Sequence, residues 1–401
     1  MAHIAFINIP AYGHINPTLT VVEELLRRGH RVTYASTDQY AARIGATGAE
    51  LLRYESTLTP YFQPGQAVDL DPERFGWSPV LFLMECAATL PLFTAHFVDD
   101  PPDVLVYDML MKPAGQVLGR KLRIPAVRSS VVLASNEHFS HTDAVLRLAG
   151  VAPDHPAHGE FAVRAAKFLA EQGMPEMSVA WLSDASAEAT LAFLPKSFQP
   201  RAETFDDSFD FVGMCSADRD TGPDWLPPAG DPPLAVVAFG TMSGPLPGLW
   251  RSCVDSFAGT AWHAVLATGS AFDPGELGPL PPNVEAHQWI AQSALLRHTS
   301  VFVTHGGMGS VMQSLALGVP MVCVPHHPDD RLTAQRVAEL GLGRLVSIDE
   351  VFAGELFDQV QEVARNEAIR RRVHRMSHEV HAAGGPGRAA DVILARAGVR
   401  S

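Results

Sequence analysis

HIAFINIPAYGHINPTLTVVEELLRRGHRVTYAS, residues 3–36, decides the fold. HIAFINI (3–9) is an apolar run of strand length and reads as a buried strand. NPTLTVVEELLRR (16–28) spaces its apolar residues for one helical face and stops at Gly29. RVTYAS (31–36) is a second strand. Strand, helix and strand in so short a span make a crossover between parallel strands, and a parallel sheet is covered on both faces. The pattern goes on in DVLVYD (103–108) and PAVRSS (125–130). A change of composition follows at MCSADRDTGPDWLPPAGDPP (214–233), where Pro, Gly and Asp dominate as in a linker. A second series then opens: LAVVAFG (234–240), HAVLAT (263–268), VFVT (301–304) and MVCVP (321–325). The expected class is α/β, with two doubly wound parallel-sheet domains, 1–213 and 234–384, facing a central cleft. Segments 55–100 and 134–185 read as irregular insertions over the C-terminal edge of the first sheet, where such folds bind ligands. They carry Phe62, Trp77, Phe82, Met84, Phe139 and Trp181.

Bulk properties narrow the function. The 401 residues are 47% hydrophobic and 18% charged, the balance of a globular chain with large cores. A net charge of −14 without a basic stripe argues against nucleic acid and anionic membranes as partners. Cys86, Cys215, Cys253 and Cys323 lie far apart with no C-x-x-C pair, which suits a reducing cytoplasm better than a disulfide scaffold. Strand-like IAFINI near the start leads to the expectation of no signal peptide, and no apolar run is counted that reaches the roughly 20 residues of a membrane span.

The chemistry-bearing residues fall at strand tips. PAYGHINP (10–17) lacks the spaced glycines of a dinucleotide fingerprint; Gly13 suits a turn, Pro17 suits a helix start, and His14 offers an imidazole that can accept a proton near neutral pH. Asp108 ends DVLVYD and, if it meets His14, would fix the tautomer of the ring. Taken singly, both residues have plainer readings as a surface histidine and a helix cap. VTHGGMGSVMQ (303–313) is a glycine-rich strand-to-helix turn that can offer backbone N–H groups, the Ser310 hydroxyl and the His305 ring to an anion. Gly240 and Thr241 form a second small-residue turn. Trp289 is a core residue or a stacking platform. PHHPDD (325–330) matches no zinc spacing, and the D-x-D of Asp218-Arg219-Asp220 reads as solvated linker charge, so no metal is expected.

Together these residues resemble family 1 of the glycosyltransferases, with the GT-B fold of two Rossmann-like domains, and within it the bacterial macrolide and natural-product enzymes. The likeness covers nearly the whole chain. It rests on NIPAYGHINPTL (8–19), RGHRVTYAST (28–37), DVLVYD (103–108), PKSFQP with FDDSFDFVG (195–213), WIAQ (289–292), THGGMGS (304–310) and ELGLG (339–343). The resemblance implies that His14 is the general base toward an acceptor hydroxyl and that Asp108 steadies it. It implies that Trp289 stacks on the donor's base, with Ile290 and Gln292 in the same nucleoside motif. It gives the diphosphate to His305, Gly307, Gly309 and Ser310 with Gly240 and Thr241, and sugar hydroxyls to Asp329 and Asp330. It also implies that residues 385–401 form a helix packing back on the first domain.

Departures from the family pattern are Ala291 for proline in W-x-P-Q, Gln313 where a glutamate often grips the ribose hydroxyls, and Asp330 where glucose-using relatives often have glutamine. The expected reaction is an inverting, metal-independent transfer of a sugar, glucose from UDP-glucose, to a hydroxyl of a hydrophobic molecule such as a macrolide or polyketide. The acceptor is expected against Tyr12, Phe62, Trp77, Phe82, Met84, Met109, Met111 and Phe139. Alternatives are a dTDP-deoxysugar donor, since deoxyribose asks less of position 313, and a nucleotide-sugar epimerase or non-catalytic nucleotide-sugar binder of the same architecture. The expectation also includes a monomer or homodimer and no cofactor.

Overall fold

The computed structural model describes residues 1–61, 71–182, 189–215, 225–240 and 247–399. They divide into two compact units: the first takes residues 1–61, 71–182, 189–215 and 383–399, the second 225–240 and 247–382.

In the first unit, β1 (His3–Ile7), β2 (Arg31–Ser36), β3 (Glu50–Arg53), β4 (Val104–Asp108), β5 (Ala126–Ser130), β6 (Thr190–Ala192) and β7 (Phe209–Phe211) form one parallel sheet. Their order is β3-β2-β1-β4-β5-β6-β7, with Ile4 opposite Val32 on one side and Val104 on the other. β1 and β4 are buried along their whole length, as strands covered on both faces must be. The order reverses between β1 and β4, so the crevice that open α/β sheets use for ligands lies at the C-terminal tips of these two strands.

The first helix runs Tyr12–Arg27, four residues earlier than its apolar spacing suggests. Pro17 therefore sits inside the helix rather than at its start. It forfeits only the bond its missing N–H would give Gly13, and the turn before it is held from outside by the Asn8 carboxamide, which donates to the His14 carbonyl at 3.0 Å. The helix Gly385–Arg396 packs on this first helix: Arg28 reaches Asp391 at 2.5 Å and the Gly387 carbonyl at 3.1 Å.

Two segments expected to be irregular contain helices, Ser78–Phe97, His141–Leu148 and Pro156–Glu171. The first is apolar nearly all round and carries Pro91, so it has no amphipathic period to detect. Among the described residues, Pro72–Phe97 is the one helical stretch long and apolar enough to cross a membrane by length and composition, where the sequence reading counted none. Its Leu83, Cys86, Leu90, Phe93 and Phe97 are buried in the core of the first unit, and Glu85 is bound there to the Thr57 hydroxyl at 2.6 Å.

In the second unit, β8 (Leu234–Ala238), β9 (His263–Ala267), β10 (Val284–His287), β11 (Val301–Thr304), β12 (Met321–Cys323) and β13 (Gly343–Leu345) form a parallel sheet in the order β10-β9-β8-β11-β12-β13. Here the reversal falls between β8 and β11, paired through Thr304 and Ala238, and the tips of those strands carry Gly240 and His305.

Candidate active site

His14 and Asp108 meet. The His14 Nδ1 lies 2.7 Å from Asp108 Oδ2, across the switch point of the first sheet. Asp108 ends β4 and caps the turn that follows, its Oδ1 accepting from the Leu110 N–H at 2.8 Å. The cap and the dyad are thus the same residue used through both oxygens. The Asp108 side chain is fully buried and that of His14 is 18% exposed, so the pair sits at the surface with its carboxylate end inward. A carboxylate only accepts, so Nδ1 carries the proton and Nε2 is the basic nitrogen.

At the second switch point the helix Met308–Ala316 starts directly after the glycine turn, with Gly307 as its N-cap and no side chain capping it. The N–H groups of Met308, Gly309 and Ser310 belong to the first turn and have no intrahelical acceptor, which makes the turn a ready anion cradle. The His305 ring is wedged between two glycines: a Cβ at Gly240 would stand 2.7 Å from it and one at Gly307 2.3 Å from its Nε2. Gly240 also has a φ of +79°, so no other residue fits there. Burial, with the neighbouring His326 adding to it, lowers the His305 pKa to about 4; the Ala238 carbonyl and Asp329 work the other way. At neutral pH the ring is uncharged. In that state the ring meets an anion as a hydrogen-bond donor.

Asp330 Oδ1 is 3.9 Å from His305 Nε2, and burial beside Asp329 raises its carboxyl pKa well above the usual range. His327 caps the helix Pro328–Glu339, its Nδ1 accepting from the Asp329 N–H at 3.2 Å. Trp289 is 54% exposed, which rules out the core alternative, whereas Ile290 beside it is buried. Gln292 Nε2 donates to Gln313 Oε1 at 2.7 Å, a bond between two positions that sequence kept apart. Thr241 and the D-x-D at 218–220 lie outside the described residues. Among the described residues no three His, Cys, Asp or Glu side chains are grouped to hold a metal ion.

Residues 257–395 match the family described as erythromycin biosynthesis protein CIII-like, C-terminal domain. The demethyllactenocin mycarosyltransferase of Streptomyces fradiae is 39% identical over 398 residues, covering 98% of this chain and 86% of that protein. The chain belongs to family 1 of the glycosyltransferases, in its bacterial natural-product branch. The oleandomycin glycosyltransferase of Streptomyces antibioticus is 36% identical, covering 98% of this chain and 90% of that protein. The crystal structure of the calicheamicin glycosyltransferase CalG4 shares 37% of its residues with the chain at a TM-score of 0.87, covering 99% of this chain and 98% of that one.

Not all of the acceptor residues expected of this glycosyltransferase are exposed. Met111 is fully buried in the core beside Leu83 and Phe93, so it cannot touch a ligand there. Met109 is 8% exposed and lies 3.6 Å from the Ser130 hydroxyl. Phe82 packs against the same core, and Trp77 stands edge-on to His155 at 5.9 Å. Met84 is 44% exposed. The Tyr12 ring lies under the Arg43 guanidinium at 4.8 Å. Phe139 lines a cavity of about 240 Å³ with Arg147 and Arg201, a polar setting rather than an apolar one. Phe62 lies outside the described residues. Sequence reasoning missed Asn8, the polar residue inside apolar HIAFINI, and weighed His326 only as a metal ligand; its two ring nitrogens are buried with no hydrogen-bond partner among the described residues.

Proposed function

We propose that this glycosyltransferase moves glucose from UDP-glucose to a hydroxyl of a hydrophobic natural product such as a macrolide or polyketide, with inversion and without a metal ion. The observation that carries the reading is the 2.7 Å His14–Asp108 bond at the switch point. His14 Nε2 takes the acceptor proton as the oxygen attacks the anomeric carbon from the face opposite the diphosphate, and Asp108 stabilises the imidazolium that forms. The bond from the anomeric carbon to the phosphate oxygen breaks in the same step, so one displacement inverts the centre. The charge that develops on the leaving diphosphate meets the first-turn N–H groups of 308–310 and the neutral His305 ring. Relatives named for lactenocin and oleandomycin support a macrolide as acceptor. Four unpaired, buried cysteines support a reducing cytoplasm as its place of work.

A second donor, a dTDP-deoxysugar, is favoured by one observation. The Gln313 oxygen already accepts from Gln292, so position 313 has one acceptor lone pair and the amide N–H groups left to offer. A ribose with two hydroxyl donors gains less from them than from a carboxylate. Mass spectrometry of UDP- and dTDP-sugars against macrolide and aromatic acceptors decides between the donors, and the anomeric configuration of the product tests inversion. Loss of activity in EDTA, restored by Mn²⁺, would defeat the metal-independent reading.

A further inference from the structure

We infer that Asn8 and Tyr34 are positioning residues for the base: a buried hydrogen-bond chain of fixed polarity ties the turn carrying His14 to the sheet beneath it. The inference rests on the reading of His14 as general base. Asn8 follows β1, Tyr34 lies in β2 and Thr18 lies in the first helix; they are 1%, 0% and 0% exposed. The Thr18 hydroxyl is 2.7 Å from the Ile15 carbonyl, which can only accept, so Thr18 donates there. Its oxygen, 2.7 Å from Tyr34 Oη, must then accept the Tyr34 proton. Burial raises the Tyr34 pKa, so that proton is present at working pH. With its hydrogen committed, Tyr34 Oη accepts from Asn8 Nδ2 at 2.9 Å, and the other Asn8 N–H goes to the His14 carbonyl at 3.0 Å. The carboxamide cannot be turned round, because its oxygen would then face the His14 carbonyl. Asn8 is itself held by Tyr54, whose hydroxyl donates to the Asn8 carbonyl at 2.6 Å.

The first helical turn needs such a tie. Gly13 gives it a flexible backbone, and Pro17 cannot donate to the Gly13 carbonyl, so the helical ladder is weakest where His14 sits. Among the described residues the Asn8 oxygen Oδ1 is buried without a partner, a cost that a purely structural residue at this place need not carry. An ångström of play in this turn lengthens the His14–Asp108 contact and moves Nε2 away from the acceptor hydroxyl.

Two variants test this, each made in wild type and in the His14→Ala background. Asn8→Asp keeps the shape and removes both donors. Tyr34→Phe removes one hydroxyl and keeps the ring stacked on Phe6 at 5.6 Å, so it folds even where the first does not. The expected result is a kcat loss of about 10²-fold for Asn8→Asp and a smaller one for Tyr34→Phe, with donor KM unchanged. In the His14→Ala background neither change lowers the residual turnover further, because the group they position is gone. An equal penalty in both backgrounds, or no kcat change in wild type, overturns the inference and leaves the base intact. Full turnover by His14→Ala alone overturns both.

Discussion

At the switch point of the first sheet the working groups are two side chains 94 residues apart in sequence; at that of the second they are main-chain N–H groups in the single stretch 308–310. The topological place is the same and the materials are opposite. The first site depends on a hydrogen-bonded imidazole–carboxylate pair and on the buried chain that aims it. The second depends on backbone left bare, on a helix end without a capping side chain, and on the His305 ring, whose pKa burial lowers to about 4. A proton-transfer group must be placed to a fraction of an ångström, and side chains held from several strands do that. A diphosphate is large and anionic, and a helix N-terminus with little in front of it suffices.

The contrast breaks most sharply at His14. His14→Ala removes the base from the first unit and leaves the sequence of the second unchanged. Turnover should fall by about 10²–10⁴-fold while nucleotide affinity, read by calorimetry, stays the same. A parallel loss of nucleotide affinity would mean that the two sites do not divide the work as described. Gln313→Glu is the counterpart in the second unit. The carboxylate can accept from Gln292 with one oxygen and from a ribose hydroxyl with the other, so kcat/KM for UDP-glucose over dTDP-glucose should rise by about tenfold, the difference of one charge-assisted bond. A ratio that does not move would remove position 313 from donor choice.

These two sites were not equally legible in sequence. The glycine turn reads directly, because its parts are consecutive and its geometry is local. The dyad reads only as two strand tips; that they touch depends on β1 and β4 being neighbours, which no run of residues states. The long apolar strands are plain for the same reason that they are buried on both faces. ELLR (50–53), TLA (190–192), FDF (209–211), VEAH (284–287) and GRL (343–345) are not, being three or four residues long, four of them with charged residues. The neutral state of His305 was hidden, because it comes from burial and from His326, twenty-one positions on and one strand away.

His326 sharpens the contrast from the side of stability. Both ring nitrogens are buried without partners among the described residues, and the ring stands edge-on to Phe239 at 4.9 Å. His326→Phe keeps that contact and removes the unmet polar atoms, so the variant should be more stable by about 1–3 kcal/mol at pH 7. Burial lowers the His326 pKa from 6.5 to about 4. Between those values the unfolded chain holds a proton the folded one does not, so stability falls as the pH drops through that window. Thermal midpoints from pH 7 to 4.5 should decline less steeply in His326→Phe than in wild type, since the variant loses both the buried imidazole and the charge repulsion it adds to His305. An unchanged slope, or a less stable variant at pH 7, would show that the imidazole is satisfied in solution.

The smallest effect discriminates best between bare backbone kept for packing and bare backbone kept for a ligand. Gly240 and Gly307 are required by the His305 ring whatever binds nearby. Gly309 is not: it is exposed in the first turn of the helix Met308–Ala316, and a Cβ there would meet nothing within 4 Å. Gly309→Ala should therefore stabilise the free protein, by about 1 kcal/mol at most, since alanine is the better helix residue. If the diphosphate lies against this turn, the added methyl stands in its path, and the donor KM should rise by about fivefold, the equivalent of 1 kcal/mol. The two readouts move in opposite senses, one favouring the empty protein and one penalising the loaded complex. A higher melting temperature with an unchanged donor KM would place the diphosphate elsewhere and reduce the glycine turn to packing.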